Sequence, residues 1–69
     1  MPEITIRVGG TPQALPAGSS LADLVAGLGH LPHAVATGLN GDFVRRELRA
    51  ATFLSAGDEV LVFQPIVGG

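Results

Sequence analysis

Cysteine is absent from the 69 residues. That excludes a disulfide framework, a thiolate metal site and a cysteine nucleophile. Tryptophan and tyrosine are also missing, and three Phe are the whole aromatic content. The 46% hydrophobic share therefore rests mostly on Ala, Val and Leu. There is no lysine: all four positive residues are arginine, and the net charge is -2. A chain with this balance carries no electrostatic footprint for nucleic acid. The N-terminal amine is its only amine. No apolar run approaches the ~20 residues of a membrane span. Pro2 and Glu3 lead directly into a strand pattern instead of a basic, apolar signal. The expectation is a cytoplasmic protein with neither a membrane nor a nucleic-acid partner. At this length it is one small domain, 1–69, whose few apolar positions must be well used.

What is present is most specific at the end. Val60 to Gly69 begins as an apolar strand through Phe63, and Pro65 cannot donate a ladder hydrogen bond, so the strand should stop at or near Gln64. The chain then closes on Gly68-Gly69. With 10 Gly in 69 residues, composition alone gives such an end roughly 2% of the time. A glycine pair lacks Cβ atoms, so it is able to thread a narrow channel and present its α-carboxylate to an enzyme. Residues 65–69 are read as a flexible tail and a reactive arm, because a strand leads straight into them.

The preceding chain alternates between strand and helix signals. Ile4, Ile6 and Val8 alternate with polar residues, giving a strand with one buried face. Gly9-Gly10 supplies a tight hairpin, and Thr11 to Leu15 returns antiparallel, with Pro12 marking an edge. Pro16-Ala17-Gly18 breaks the strand. Ser20 then serves as N-cap, with Asp23 approximating a capping box, although Asp reaches back less well than Glu. Leu21, Leu24, Val25 and Leu28 form one apolar helical stripe; Gly29 fits the position after the C-cap, and Pro32 bars continuation. His30 and His33 straddle Pro32 and are read as loop histidines, since no further ligand accompanies them.

Ala34 to Leu39 reads as a strand with Val35, Thr37 and Leu39 on one face and the small Ala34, Ala36 and Gly38 on the other. Asn40-Gly41 is the strongest hairpin signal, a type I′ turn returning through Phe43 and Val44. Arg45-Arg46-Glu47-Leu48-Arg49 is read as an irregular, solvated connector. Phe53 and Leu54 are read as apolar anchors, and Ala56-Gly57-Asp58 as the turn before the last strand. One helix laid on one face of a four- to five-stranded mixed sheet is an α+β arrangement. The last strand is apolar on both faces, as a central strand covered on one side would be. If Val60 and Val62 face the helix, Leu61 and Phe63 face away. Beside the small Ala36 and Gly38 they make an exposed apolar patch, the mark of a protein interface. No nucleophile–base pair or carboxylate pair points to an enzyme.

Four parts of the chain together resemble one family: Phe63-Gln64-Pro65-Ile66-Val67-Gly68-Gly69, the Gly57-Asp58 turn, the hairpin from Leu39 through Asn40-Gly41-Asp42-Phe43-Val44 to Arg45-Arg46, and the approach to the helix from Ala17-Gly18 to Leu24. The family is the sulfur carrier proteins of thiamine biosynthesis (ThiS), which are ubiquitin-like with the β-grasp fold. The small subunit of molybdopterin synthase shares that fold and tail, and its tails also carry Phe and Pro. The Asn-Gly hairpin followed by arginines, with the short length, favours the thiamine branch. Arg46-Glu47-Leu48 departs from the Pro-Arg and nearby Trp that thiamine carriers often have.

The resemblance implies a carrier and not an enzyme. Gly69 would be activated as an adenylate by an E1-like adenylating enzyme (ThiF) using ATP and Mg²⁺, and then converted to a thiocarboxylate with sulfur drawn from cysteine by a desulfurase. Thiazole synthase (ThiG) would take the sulfur. Pro65, Ile66, Val67 and Gly68 would thread the partner's channel, and Phe63, Leu61, Ala36 and Gly38 would dock. The chain itself would bind no cofactor or metal. Carriers for molybdopterin, cysteine synthesis or tRNA thiolation, and a ubiquitin-like binding module that carries nothing, are the alternatives at this point.

Overall fold

A computed structural model describes residues 2–64; the tail, 65–69, and its expected flexibility lie outside the described residues. Six segments of sequence chemistry set the architecture. In β1 (Glu3–Val8) the alternation puts Ile6 fully inside with Ile4 and Val8 half-buried, while Glu3, Thr5 and Arg7 stay wet. Gly9 and Gly10 both take positive φ, 57° and 86°. Only a residue without Cβ adopts that pair of angles cheaply, so the turn is tight and β2 (Thr11–Pro16) returns antiparallel with Val8 opposite Thr11.

The helix α1 (Leu21–Gly27) is closed at both ends by local bonds. Asp23 N–H donates to Ser20 Oγ at 3.1 Å and Ser20 N–H donates to Asp23 Oδ2 at 3.0 Å. The box is complete despite the shorter acid. At the other end Leu28 is the C-cap and Gly29 has φ 85°. Gly29 N–H donates to Ala26 O and His30 N–H to Val25 O, which caps the free carbonyls in a Schellman arrangement. Leu21, Leu24 and Val25 are buried and Leu28 is half-buried, so the predicted stripe is the buried face.

The sheet order is β2-β1-β5-β3-β4, with β3 (Ala36–Leu39), β4 (Asp42–Val44) and β5 (Glu59–Phe63). β5 is central: it runs parallel to β1 and antiparallel to β3. Pro12 sits on the edge strand, as a residue without a ladder donor must. Ile6, Leu21, Leu24, Leu54 and Val60 make the core between sheet and helix. This is the β-grasp architecture of an α+β fold, with one main helix on one face of a mixed five-stranded sheet.

Three expectations need correction. Ala34 belongs to a 3₁₀ turn, Pro32–Ala34, and not to β3, because Pro32 at its first position presets a helical φ. Phe53 is 65% exposed and only Leu54 anchors the core. The arginine-rich connector is a 3₁₀ helix, Arg46–Ala51, packed against α1, and its Arg49 is only 3% exposed. Crossing the covered side of the sheet forces one connector residue inward, and that residue is an arginine held by three bonds. Its Nε–H donates to Thr37 Oγ1 at 3.0 Å, Nη1 to Pro32 O at 2.7 Å, and Nη2 to Val35 O at 2.6 Å. Thr37 Oγ1 donates onward to Val44 O at 3.0 Å. No buried polar side-chain atom among the described residues is left without a partner. The solvated description holds for Arg45 and Glu47, an exposed ion pair at 3.2 Å.

Candidate docking face

The strand register assembles a surface on the side of the sheet away from α1. Along β5, Val60 is fully buried and Val62 packs on the core, so Leu61 and Phe63 emerge opposite, 46% and 50% exposed. Ala36 lies across from Phe63 and Gly38 across from Leu61. On its other side Gly38 pairs with Phe43 of β4, which is 67% exposed. Side chains directly opposite on neighbouring strands share a face. Leu61 and Phe43 therefore stand on either side of a glycine, with Phe63 beside Ala36. Gly38 is buried under these neighbours: an added Cβ there would lie 3.8 Å from Leu61 Cβ and 3.6 Å from Asp42 O, which is ordinary contact.

A groove of about 220 Å³ runs between Phe43, Leu61 and Phe63 with Gly38 in its floor. A second, of about 380 Å³, is lined by Asn40, Gly41, Glu59 and Leu61. Gly41 and Leu61 line both, so the two form one trough across the outer face. The trough is apolar between Phe43, Leu61 and Phe63, and Glu59 lines its other end beside Asn40.

That other end is clamped. Asn40 (φ 51°) and Gly41 (φ 90°) form the type I′ turn the sequence calls for. Asn40 N–H donates to Glu59 O at 2.7 Å and Asn40 Oδ1 accepts from Glu59 N–H at 2.9 Å. Asn40 Nδ2 donates to Asp58 Oδ1 at 3.2 Å, while Asp58 Oδ2 accepts from Ser55 N–H at 2.8 Å. The β3–β4 turn and the start of β5 are thus tied together directly beside Leu61.

The structure brings Leu61, Phe63, Ala36 and Gly38 together on one face. Sequence reading left Phe43 out of that group, although the signal was present. A two-residue Asn40-Gly41 loop fixes Gly38 opposite Phe43, so an outward Gly38 entails an outward Phe43. Pro65, Ile66, Val67, Gly68 and Gly69 lie outside the described residues. His30 is half-buried and His33 exposed. Among the described residues no three His, Asp or Glu side chains gather as metal ligands, and no helix is long and apolar enough to cross a membrane.

A small β-grasp domain with an apolar patch on the open side of its sheet has the form of a ubiquitin-like protein. The ThiS family model matches residues 5–69, and the chain belongs to the ThiS family, the small sulfur carriers of thiamine biosynthesis. Among solved structures it is similar to the thiamine biosynthesis protein (ThiS) from Geobacter metallireducens. The two superpose with a TM-score of 0.82 at 26% identity, covering 96% of this chain and 100% of that one. No curated protein sequence matches it.

Proposed function

We propose that this chain carries sulfur for thiazole formation on the carboxylate of Gly69. The supporting observation is the placement of β5: the central strand ends at Phe63, within the exposed apolar face, and Gly69 follows six residues after Phe63. A partner seated on Leu61, Phe63 and Phe43 meets the strand from which the Gly-Gly end continues.

A carboxylate resists nucleophiles, so the cycle begins with activation. An oxygen of the Gly69 carboxylate attacks the α-phosphorus of ATP on a ThiF-type adenylating enzyme, and pyrophosphate leaves. The acyl-adenylate has AMP as a competent leaving group. The outer sulfur of a persulfide that a desulfurase has formed from cysteine displaces AMP to give an acyl disulfide, and a thiol reductant then cleaves the S–S bond, leaving a C-terminal thiocarboxylate and a disulfide. A ThiG-type thiazole synthase takes the sulfur. ATP and Mg²⁺ belong to the activating enzyme. The carrier contributes a docking face and an end slim enough to thread, Pro65 through Gly68 leading Gly69 in. With no cysteine in the chain, no internal thiol competes for the activated ester.

The test is ATP–pyrophosphate exchange by the activating enzyme, with the native chain and with one extended beyond Gly69. The native chain should support exchange and the extended one should not, while both give the same folded spectrum. Equal exchange with the extended chain would contradict the proposal.

A further inference from the structure

The Asn40-Gly41 turn has a chemistry that docking does not use. In this pairing the main-chain nitrogen after the asparagine meets the least hindrance in attacking the side-chain amide carbon, because glycine has no Cβ. Asparagine is among the thermolabile residues for this kind of reason. Both residues are exposed, so water reaches the turn. What opposes the reaction is the clamp. The Asn40 carboxamide is held through both of its polar atoms, Nδ2 on Asp58 Oδ1 at 3.2 Å and Oδ1 on Glu59 N–H at 2.9 Å. Asp58 is itself fixed by Ser55 N–H at 2.8 Å. The carboxamide has to release this segment before it turns to meet the Gly41 nitrogen.

The geometry points to Asn40 as a spontaneous modification site, restrained by its clamp to Asp58, whose conversion remodels the trough beside Leu61. The Gly41 nitrogen gives up its proton and bonds to Asn40 Cγ. The Cγ–Nδ2 bond breaks and ammonia leaves, closing a cyclic imide. Water then opens either imide carbonyl, giving aspartate or isoaspartate at position 40. No oxidant or reductant takes part. An aspartate there loses the donor to Asp58 and sets a second negative charge beside it, an unfavourable like-charge pair. An isoaspartate adds a backbone atom to a two-residue turn whose length sets the β3–β4 register. Asn40 lines the larger groove and Gly41 lines both, so either product alters the trough. The chemistry needs no partner enzyme, so its test is independent of sulfur carriage.

The experiment incubates the purified full chain at mildly alkaline pH and follows position 40 by peptide mass mapping and isoaspartate-specific labelling. The arms are the native chain, the same chain in guanidinium chloride, Asp58→Ala and Asp58→Asn. The denatured chain should convert about tenfold or more faster than the native one, a factor in keeping with the loss of two hydrogen bonds. Asp58→Ala, with its fold verified by amide spectra, should convert severalfold faster than the native chain, and Asp58→Asn, whose single carboxamide oxygen accepts from Asn40 or from Ser55 but not from both, should fall between the two. If Asp58→Ala does not fold, the native-against-denatured comparison decides, since a restraining clamp requires the folded chain to be slower. Equal rates folded and denatured, a folded Asp58→Ala at the native rate, or no conversion at Asn40 even in denaturant would overturn the assignment.

Discussion

Arg49 donates its Nε–H to Thr37 Oγ1 across 3.0 Å, and through that hydroxyl reaches the carbonyl of Val44 on the edge strand. Together with its bonds to Pro32 O and Val35 O, the guanidinium fastens the connector, the 3₁₀ turn and β3 into one unit. Arg49→Ala removes the donors to the Pro32 and Val35 carbonyls and to the Thr37 hydroxyl, and leaves the buried Val35 carbonyl without a partner. The expected loss is roughly 2–4 kcal/mol, a large part of the stability of so small a domain. Arg49→Lys should recover only part of it, because an ammonium cannot reproduce the planar fork. Urea unfolding of the two variants checks this; wild-type midpoints would contradict it.

Ser20→Ala removes one half of the capping box directly and leaves the Asp23 N–H without its side-chain acceptor. The expected cost is about 1 kcal/mol. A midpoint shift in urea with no change in the slope is the expected signature.

Much of this fold was legible because its determinants are local. The β1 alternation, both glycine-bearing hairpins, the Ser20–Asp23 box and the Gly29 terminus each depend on residues a few positions apart. Arg49 was not legible: its partners lie 12 to 17 positions away, and in sequence it is the last of a charged run. Phe53 and Leu54 are adjacent and equally apolar. Only the Ser20–Phe53 bridge and the core around Leu21 decide which of them turns inward. At the docking face the alternation that turns Gly38 outward, combined with the two-residue Asn40-Gly41 loop, also turns Phe43 outward, so that residue was available from the sequence.

Phe63→Asp should weaken binding to the activating enzyme by tenfold or more, in the range of an interface anchor of about 2 kcal/mol. Its cost to folding should stay within about 1 kcal/mol, because the side chain is half exposed. Phe43→Ala should behave in the same way. Phe53→Ser is the control: the ring is about as exposed as that of Phe43, but its bridge to Ser20 puts it at the start of α1 and not on the trough. Calorimetric titration of the enzyme with each variant distinguishes them. If Phe63→Asp unfolds the domain, or Phe53→Ser loses as much affinity, the assignment of the face is wrong.

Gly38→Ala fits the space available, since the new Cβ meets its neighbours at 3.6 Å and beyond and the backbone φ is not positive. Stability should move by no more than about 0.5 kcal/mol. Gly38→Leu raises the trough floor between Phe43 and Leu61, and should lower partner affinity more than it lowers the unfolding midpoint. Parallel binding and unfolding curves for the two variants test this, and unchanged affinity for Gly38→Leu would remove Gly38 from the docking face.

The central claim is that Gly69 bears the sulfur, and intact-mass analysis of the chain purified from its own cells tests it most directly. Under thiamine starvation, a fraction of the protein should show one terminal oxygen exchanged for sulfur, localised to Gly69 by fragmentation. A chain whose end stays a plain carboxylate under those conditions, and remains so after incubation with the activating enzyme, ATP, Mg²⁺, a desulfurase, cysteine and a thiol reductant, would contradict the account.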